Sequence, residues 1–441
     1  MTLVSGSRPD SAIGLASLPT ELIELIASSL DLPAFHYVRL TCSSIGRQTL
    51  HHFKERFFRT RTLRWTNESL DLLVEVTNHV DYGDALQHLI IDATPRNSIH
   101  LWQTCKRISE AQAILGSHKK SPLEEQYLED HKVAEHPATF FKETRYDQKC
   151  LTTVFMKLDK LENIIFEYEG MNKRYGKFGR RYCESSQHEM SRPFVSTMAA
   201  IAATDLRVKV ISISPIKNHG AISIGRLESL APSLRHFDSA FERLEVLCLN
   251  LRDWRYPDSG FELDTYRAPF VVRFLAKARN VRQLDLNWYS NLEDDLFGEI
   301  ARHCTFARLE SCKLSLFRVN HAADLSSFLA HSNETLRVLS LYHASLCDEE
   351  STWQEIFREL ASSNGLEALE EVELVNLFTR AGSRIMFDEF GMKTRLIAGI
   401  KGMSRSWRAE LLSRINDFRD GTTGPAWHLA AVAYPFVGLR T

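Results

Sequence analysis

No C-x-x-C pair occurs anywhere in the 441 residues, and the eight cysteines (Cys42, Cys105, Cys150, Cys183, Cys248, Cys304, Cys312, Cys347) stand singly and far apart. They are too sparse to staple a chain of this length, which excludes a disulfide scaffold and reads as free thiols in a reducing compartment. An excess of one charge is missing too: 54 Lys plus Arg against 56 Asp plus Glu leaves a formal net charge of −2. With no global field to hold a nucleic-acid backbone or an anionic membrane, any charge-driven partner must meet a local patch. The least polar stretches, residues 194–203 and 426–439, fall short of the ~20 apolar residues of a membrane-spanning helix. Met1 to Gly14 is short and polar, contains Pro9 and Asp10, and lacks the basic and apolar regions of a secretory signal. The expectation is an intracellular protein, cytoplasmic or nuclear, with no membrane partner and with nucleic acid not expected as its main one.

Catalytic signatures are absent as well. The chain has no G-x-x-x-x-G-K-[ST] phosphate loop, no G-x-G-x-x-G, no G-x-S-x-G elbow and no H-E-x-x-H. His51 and His52 are adjacent, and neighbours on a helix point about 100° apart, which makes them poor joint metal ligands. Cys304 beside His303 has no base held in geometry and is no nucleophile. The sequence therefore predicts a non-enzyme with no catalytic residues, no metal and no cofactor.

What is present is ordinary globular material, 44% hydrophobic, 25% charged and 10% aromatic, so the chain folds. Its length suits about three domains, or one long solenoid carrying a small extra module. The small module comes first. Leu22, Ile23, Leu25, Ile26 and Leu30 recur at helical spacing behind Pro19, Asp31-Leu32-Pro33 breaks the pattern, and Phe35, Val38, Leu40 and Ile45 supply one or two further short helices. Three short helices bury little surface alone and lean on a neighbour or a partner. The run from Ser17 to Thr49, SLPTELIELIASSLDLPAFHYVRLTCSSIGRQT, resembles an F-box in order and spacing: Leu18-Pro19, then Glu21-Leu22-Ile23 and Ile26, then Leu30 before the break, then Val38-Arg39-Leu40 and Cys42-Ser43-Ser44. It departs from that pattern at the end, where no Trp or strongly basic run follows Cys42. The resemblance implies a surface for a Skp-type adaptor, tethered in turn to a cullin, formed by Leu18, Pro19, Leu22, Ile26, Leu30, Val38 and Leu40 or by the core beneath them.

The remaining chain repeats a hexad, apolar-x-x-apolar-x-apolar, which is the strand signature of leucine-rich repeats because alternate residues of a short strand share one buried face. Seven instances are Leu86-Leu89-Ile91, Leu161-Ile164-Phe166, Leu244-Leu247-Leu249, Val281-Leu284-Leu286, Leu309-Cys312-Leu314, Leu336-Leu339-Leu341 and Leu369-Val372-Leu374. From Leu244 the starts are 37, 28, 27 and 33 residues apart, room for a helix in each gap. Helices are predicted over Ser351–Leu360, around Phe270–Ala278, at Leu292, Leu296 and Ile300, and at Leu325, Phe328 and Leu329. The Asn expected three positions beyond the hexad is replaced by Arg252, Tyr289, Phe317, Ala344 and Leu377, which puts the usual asparagine ladder in doubt. A helical, charged insert is predicted over 98–160, a second interruption over 170–203, and further β-rich pieces at Val208–Ile213 and Leu234–Phe237.

The fold class predicted is thus α/β: a small N-terminal three-helix F-box followed by an irregular leucine-rich-repeat-like α/β solenoid. Its expected parts are a disordered tail 1–14, the F-box 15–60, the repeat domain 61–390 and a C-terminal segment 391–441. An F-box joined to such repeats resembles fungal-type F-box proteins, and this resemblance implies the substrate-recruiting subunit of a Skp-cullin-F-box ubiquitin ligase. Two sets of residues are candidates for holding the target. One is the basic loop 173–182, where Lys173, Arg174, Lys177, Arg180 and Arg181 are interleaved with aromatics. The other lies at or just after strands on the binding face, with Trp288, Tyr289, Arg318 and Tyr342 as large amphipathic side chains. The alternative is a non-catalytic repeat scaffold that contacts RNA through residues 173–182.

Overall fold

The computed structural model describes residues 14–96, 125, 129, 132, 139–168, 184–213, 220–252, 269–288, 295–348, 350–362, 366–387, 393–399, 407–415 and 419–423. Four helices open the described chain: α1 (Thr20–Ser28), α2 (Leu32–Leu40), α3 (Ser43–Gln48) and α4 (Leu50–Phe57). The predicted break at Asp31 is the start of α2, where the Asp31 carboxylate accepts from the Ala34 N–H at 2.9 Å and Pro33 occupies the first turn. The module's interior is Ile23, Ala27, Phe35, Ile45 and Phe53.

A sheet follows. Its strands are β1 (Thr60–Arg64), β2 (His88–Asp92), β3 (Asn163–Glu167), β4 (Val210–Ile213), β5 (Ile222–Ser223), β6 (Val246–Arg252), β7 (Gln283–Trp288), β8 (Ser311–Ser315), β10 (Val338–Tyr342), β12 (Glu371–Val375) and β14 (Arg395–Ala398). The order is β1-β2-β3-β4-β6-β7-β8-β10-β12-β14, with β5 added on β6; every pairing is parallel except β12 with β14. Parallel neighbours need crossovers, and helices supply them on one face: α5 (Asn67–Asn78), α6 (Tyr146–Phe155), α7 (Glu184–Thr204), α8 (Phe270–Leu275), α9 (Leu296–His303), α10 (Ala322–Ala330) and α11 (Trp353–Ser362); a further helix, α12 (Trp407–Ile415), follows the antiparallel β14. None of the described helices is long and apolar enough to cross a membrane.

All three apolar positions of each of the seven hexads are buried. They lie in register, so that Leu89, Ile164, Ile211, Leu247, Leu284, Cys312, Leu339 and Val372 form one row across the sheet. Val208-Ile211-Ile213, predicted as a distorted repeat, is a regular eighth hexad, equally buried. Leu234–Phe237 is a correction: it belongs to a helical segment, 3₁₀ over Glu228–His236, and buries Phe237 among Phe241 and Phe274 rather than in a strand. Of the predicted insert 98–160, the clearest described part is α6, and α7 occupies the end of the second interruption. The described part of 391–441 continues the same architecture, since β14 pairs with β12 and α12 packs beside α11.

Two ladders replace the asparagine ladder. Leu316, His343 and Asn376, each the second residue beyond its hexad, adopt left-handed φ of 63°, 53° and 52°. Their N–H groups donate to Tyr342, Val375 and Thr394 carbonyls, each at 2.8 Å. The turn buries Phe317, Ala344 and Leu377 where asparagines were expected. It also launches a second short ladder, β9 (Arg318–Val319) with β11 (Ser345–Leu346), extended by a bridge from Ser345 to Phe378; beyond it, β13 (Ser383–Met386) pairs antiparallel with β15 (Arg419–Thr423). Main-chain bonds therefore do what side-chain amides would have done.

On the helical face, Asp147 of α6 is fully buried and held by Arg192 of α7, Nε at 2.7 Å and Nη2 at 2.9 Å, with Ser196 Oγ at 2.8 Å. Removing one partner of a buried pair leaves an uncompensated charge, whereas replacing both by apolar groups does not. Arg192→Leu is expected to destabilise by roughly 3–5 kcal/mol, and Asp147→Leu/Arg192→Leu to regain most of it. Thermal melts of the two variants check this, and equal losses would refute the pairing.

Candidate functional site

Two surfaces collect the side chains that a partner could use. The first is the N-terminal module. Leu22, Leu25 and Ile26 occupy one face of α1 at i, i+3, i+4, while Ile23 and Ala27 occupy the other and enter the core. Leu25 is 68% exposed, Tyr37 70% and Leu40 67%, and Leu15 and Leu32 are exposed beside them. Of the seven residues predicted for the adaptor surface, Pro19, Leu22, Ile26 and Leu40 are exposed, and Leu18, Leu30 and Val38 are half-buried. Sequence reasoning missed Leu25, Leu32 and Tyr37 as surface residues. The signal was present in α1, whose nine residues carry an apolar stripe on each of two faces, more than its own core needs.

The module is fastened to the sheet. Arg56 Nη1 donates to the Ala27 and Ser28 carbonyls, each at 2.9 Å, closing the C-terminus of α1 onto α4. The chain then passes from α4 through Phe58 and Arg59 into β1; Phe58 stacks on Tyr82 at 4.3 Å and Phe53 packs against both. The Asp84 carboxylate receives Lys54 Nζ at 2.7 Å and Lys160 Nζ at 3.4 Å, and the hydrogen bond from Lys54 is the main reason the Asp84 carboxyl lies below its usual range.

The second surface is the face of the sheet away from the helices. Its central row reads Thr62, Ile90, Ile165, Ser212, Cys248, Asp285, Lys313, Ser340, Glu373 and Ile397. A chain of polar contacts crosses it from β6 to β14. Asn287 Nδ2 donates to Asn250 Oδ1 and Asp285 Oδ1, both at 3.0 Å, and Lys313 Nζ lies 3.1 Å from Asp285 Oδ2 and 5.4 Å from the Tyr342 ring centre. The Tyr342 hydroxyl donates to Glu373, whose other oxygen takes Arg395 Nη2 at 2.6 Å and Nε at 2.9 Å. Burial and the neighbouring Glu373 push the Tyr342 phenol up, so it remains a donor. Tyr342 was predicted on this face and is there. Trp288 was predicted beside it and is a correction: only 3% exposed, it sits in the core row opposite Leu251, because strand alternation turns it inward. Arg318 is exposed on β9. Lys173, Arg174, Lys177, Arg180, Arg181 and Tyr289 lie outside the described residues.

No family model matches the chain, and no curated protein matches it. Among solved structures it is similar to the leucine-rich repeat-containing protein LegL7 from Legionella pneumophila, at 12% identity over 81% of this chain and 97% of that one, with a TM-score of 0.28. A likeness that weak carries no argument, and the leucine-rich-repeat-like α/β character rests on the buried hexads and the parallel sheet themselves.

Two outcomes are expected. Lys313→Met strands the buried Asp285 carboxylate and should cost about 2 kcal/mol, whereas Arg395→Ala, an exposed partner, should cost under about 1 kcal/mol; urea denaturation distinguishes them. Burial pushes the Cys248 thiol from 9.0 up to about 11. A group whose folded pKa is raised contributes stability that is complete below its unfolded value and is lost as pH rises through the folded one. Stability measured from pH 9 to 11 should therefore fall less steeply in Cys248→Ala than in the parent chain.

Proposed function

We propose that this protein is the substrate-recruiting subunit of a Skp-cullin-F-box ubiquitin ligase, with the module of α1–α4 as its adaptor-binding F-box and the repeat sheet as its target-binding part. One observation carries the reading. Of the eleven large hydrophobic side chains exposed among the described residues, seven (Leu15, Leu22, Leu25, Ile26, Leu32, Tyr37 and Leu40) fall within residues 15–40. Single exposed apolar residues need no explanation, but a concentration of them on one small helical module marks a protein-docking face. Three of those seven, Leu22, Ile26 and Leu40, are residues that the F-box resemblance assigns to the adaptor.

On this reading the protein supplies no catalytic groups. It grips the adaptor at one end and a target at the other, which raises the local concentration of target lysines near a ubiquitin-charged enzyme. The fastening of α4 to β1 supports such a role, because a bridge that holds two partners at a set separation works best when it does not bend.

The test is a pull-down of the tagged protein from cell extract. The wild type should bring down a Skp-type adaptor and a cullin, and both Leu18→Ala/Pro19→Ala and Leu25→Glu/Leu40→Glu should lose them by at least about tenfold, since buried leucines at an interface centre are each worth on the order of 1–2 kcal/mol. Circular dichroism confirms that the variants fold. A folded wild-type protein that captures no adaptor overturns the proposal.

A further inference from the structure

The eleven-stranded sheet ends on β1, which pairs with β2 alone. The Arg59 carbonyl accepts from the Gln87 and His88 N–H groups, each at 2.9 Å, and Arg61 lies opposite Leu89 in the parallel register. Main-chain groups point to alternate sides along a strand, so Arg59, Arg61 and Leu63 turn theirs to β2 while Thr60, Thr62 and Arg64 turn theirs outward. Arg64 is satisfied locally, its N–H on Ser69 Oγ at 3.3 Å and its carbonyl receiving the Thr66 N–H at 2.8 Å. No described residue takes the N–H or the carbonyl of Thr60 or Thr62, and both threonines are exposed. The edge therefore offers two N–H and two carbonyl groups, already extended, to an added strand.

The side chains beside these groups are cationic on both faces of the strand. Alternation puts Arg64 on the face of Thr60 and Thr62, and Arg61 on the other. Neither guanidinium pairs with a carboxylate among the described residues. The acids nearby are engaged elsewhere: Glu55 with Arg59 at 3.5 Å, and Asp92, opposite Arg64 in register, with Arg96 at 2.5 Å and with Thr94. Glu68 stands in the first turn of α5, where the helix dipole favours it. A second copy paired along this edge would crowd four guanidinium groups at one junction, which like-charge repulsion disfavours. A foreign strand with acids three positions apart, one on each face, meets both cations with opposite charge.

We propose that the free edge of β1 is a docking strand: it adds an extended acidic segment of another protein to the sheet through the main-chain groups of Thr60 and Thr62, with Arg61 and Arg64 selecting acids at i and i+3. The edge lies directly behind the N-terminal module, since only Phe58 and Arg59 separate β1 from α4. Identifying the bound protein as a ubiquitination target rests on the proposed function; strand addition itself does not.

The experiment is fluorescence anisotropy on the full chain with labelled peptides. The probe is Thr-Val-Glu-Val-Thr-Glu-Val-Thr, and its counterpart carries Lys at both Glu positions. The Glu probe should bind and the Lys peptide should not. Two further probes are N-methylated at alternate residues, one on the odd set and one on the even. One of them should lose about tenfold and the other should bind like the parent, because only one set of N–H groups faces β1. Thr62→Pro removes an outward N–H that no described strand uses, a change that edge strands tolerate, and it should weaken binding about tenfold as well. Arg61→Glu/Arg64→Glu should reverse the preference, releasing the Glu probe and taking up the Lys peptide. Thermal melts confirm that the variants fold, and the methylated probes test the wild-type chain whether or not they do. The proposal falls if the Glu probe does not bind at millimolar concentration, if the two methylated probes behave alike, or if Thr62→Pro leaves binding unchanged. Self-association that Thr62→Pro abolishes, seen by sedimentation in a chain that binds no probe, would give the edge to a second copy instead. Adaptor capture by Thr62→Pro should match the wild type. Probe binding by a chain that captures no adaptor would keep the docking strand while removing the ligase reading.

Discussion

A single row of main-chain hydrogen bonds sets the register of the whole sheet. It starts at the Arg59 carbonyl, which accepts from Gln87. Glu162 then donates to Gln87, Lys209 to Glu162, Glu245 to Lys209, Arg282 to Glu245, Glu310 to Arg282, Arg337 to Glu310 and Glu370 to Arg337, every one at 2.7–2.9 Å. From Glu162 onward the side chains along this row alternate strictly in sign. Exposed ion pairs of this kind contribute little stability individually. Their value is in choice of register: a strand slipped by one residue would turn its hexad outward, and omitting one strand from the order would set like charges side by side. The alternation spans seven strands that are far apart in sequence, so it acts where loop-closure entropy makes mispairing the main hazard.

Once that row is fixed, the hexads have no freedom left. Their apolar positions fall into common rows, and the chain must leave each strand at its other end without a wide turn. At β8, β10 and β12 it does so through a residue with positive φ, which is uncommon for leucine and histidine and costs on the order of 1 kcal/mol each. The second ladder of β9, β11 and Phe378 offsets that cost by pairing the main chain immediately afterwards. This explains the length of the repeats that start at Leu309 and Leu336, 27 and 33 residues: each holds a strand, a sharp turn, the start of a second ladder and a helix.

Much of this was legible in the sequence, for a physical reason. Burial at period two leaves a mark at fixed spacing, so the seven hexads could be read directly, and the helices at Phe270, Leu325 and Trp353 could be read from their apolar stripes. The eighth hexad at Val208 was harder to see because β-branched residues stand where leucines do elsewhere. Leu234–Phe237 misled because four residues with two apolar members fit a strand or a helical turn equally well. Trp288 misled for a different reason: a large amphipathic side chain just past a hexad looks like a surface residue, but β7 runs two residues further in register than the hexad shows. The ladder of alternating charge and the hydrogen bond from Arg318 to the Cys347 thiol are contacts between residues dozens of positions apart, and single-sequence periodicity holds no record of them. The same limit applied to the module. Three helices were expected there and four are present, because α3 and α4 divide at Thr49 where the apolar spacing shows no break, and which of the module's leucines face outward depends on how α1 packs on α4, a contact made through Arg56.

The two ends of the molecule follow opposite rules, and this bears on what each can bind. The N-terminal module leaves apolar side chains uncovered and ties down its backbone ends, so a partner there gains by removing hydrocarbon from water, a contact indifferent to salt and dependent on shape. The sheet does the reverse. Its second face carries charges, but Asp285, Lys313, Tyr342, Glu373 and Arg395 satisfy one another in sequence, and a partner would have to break those contacts to use them. A network so closed rigidifies the strands more readily than it recruits. Arg318, exposed on β9 past the strand ends, lies outside that network. On the reading proposed above, the helical module would hold its partner through hydrocarbon, while a partner on the face of the sheet would meet polar groups already engaged with one another, so the two surfaces would differ in their response to salt.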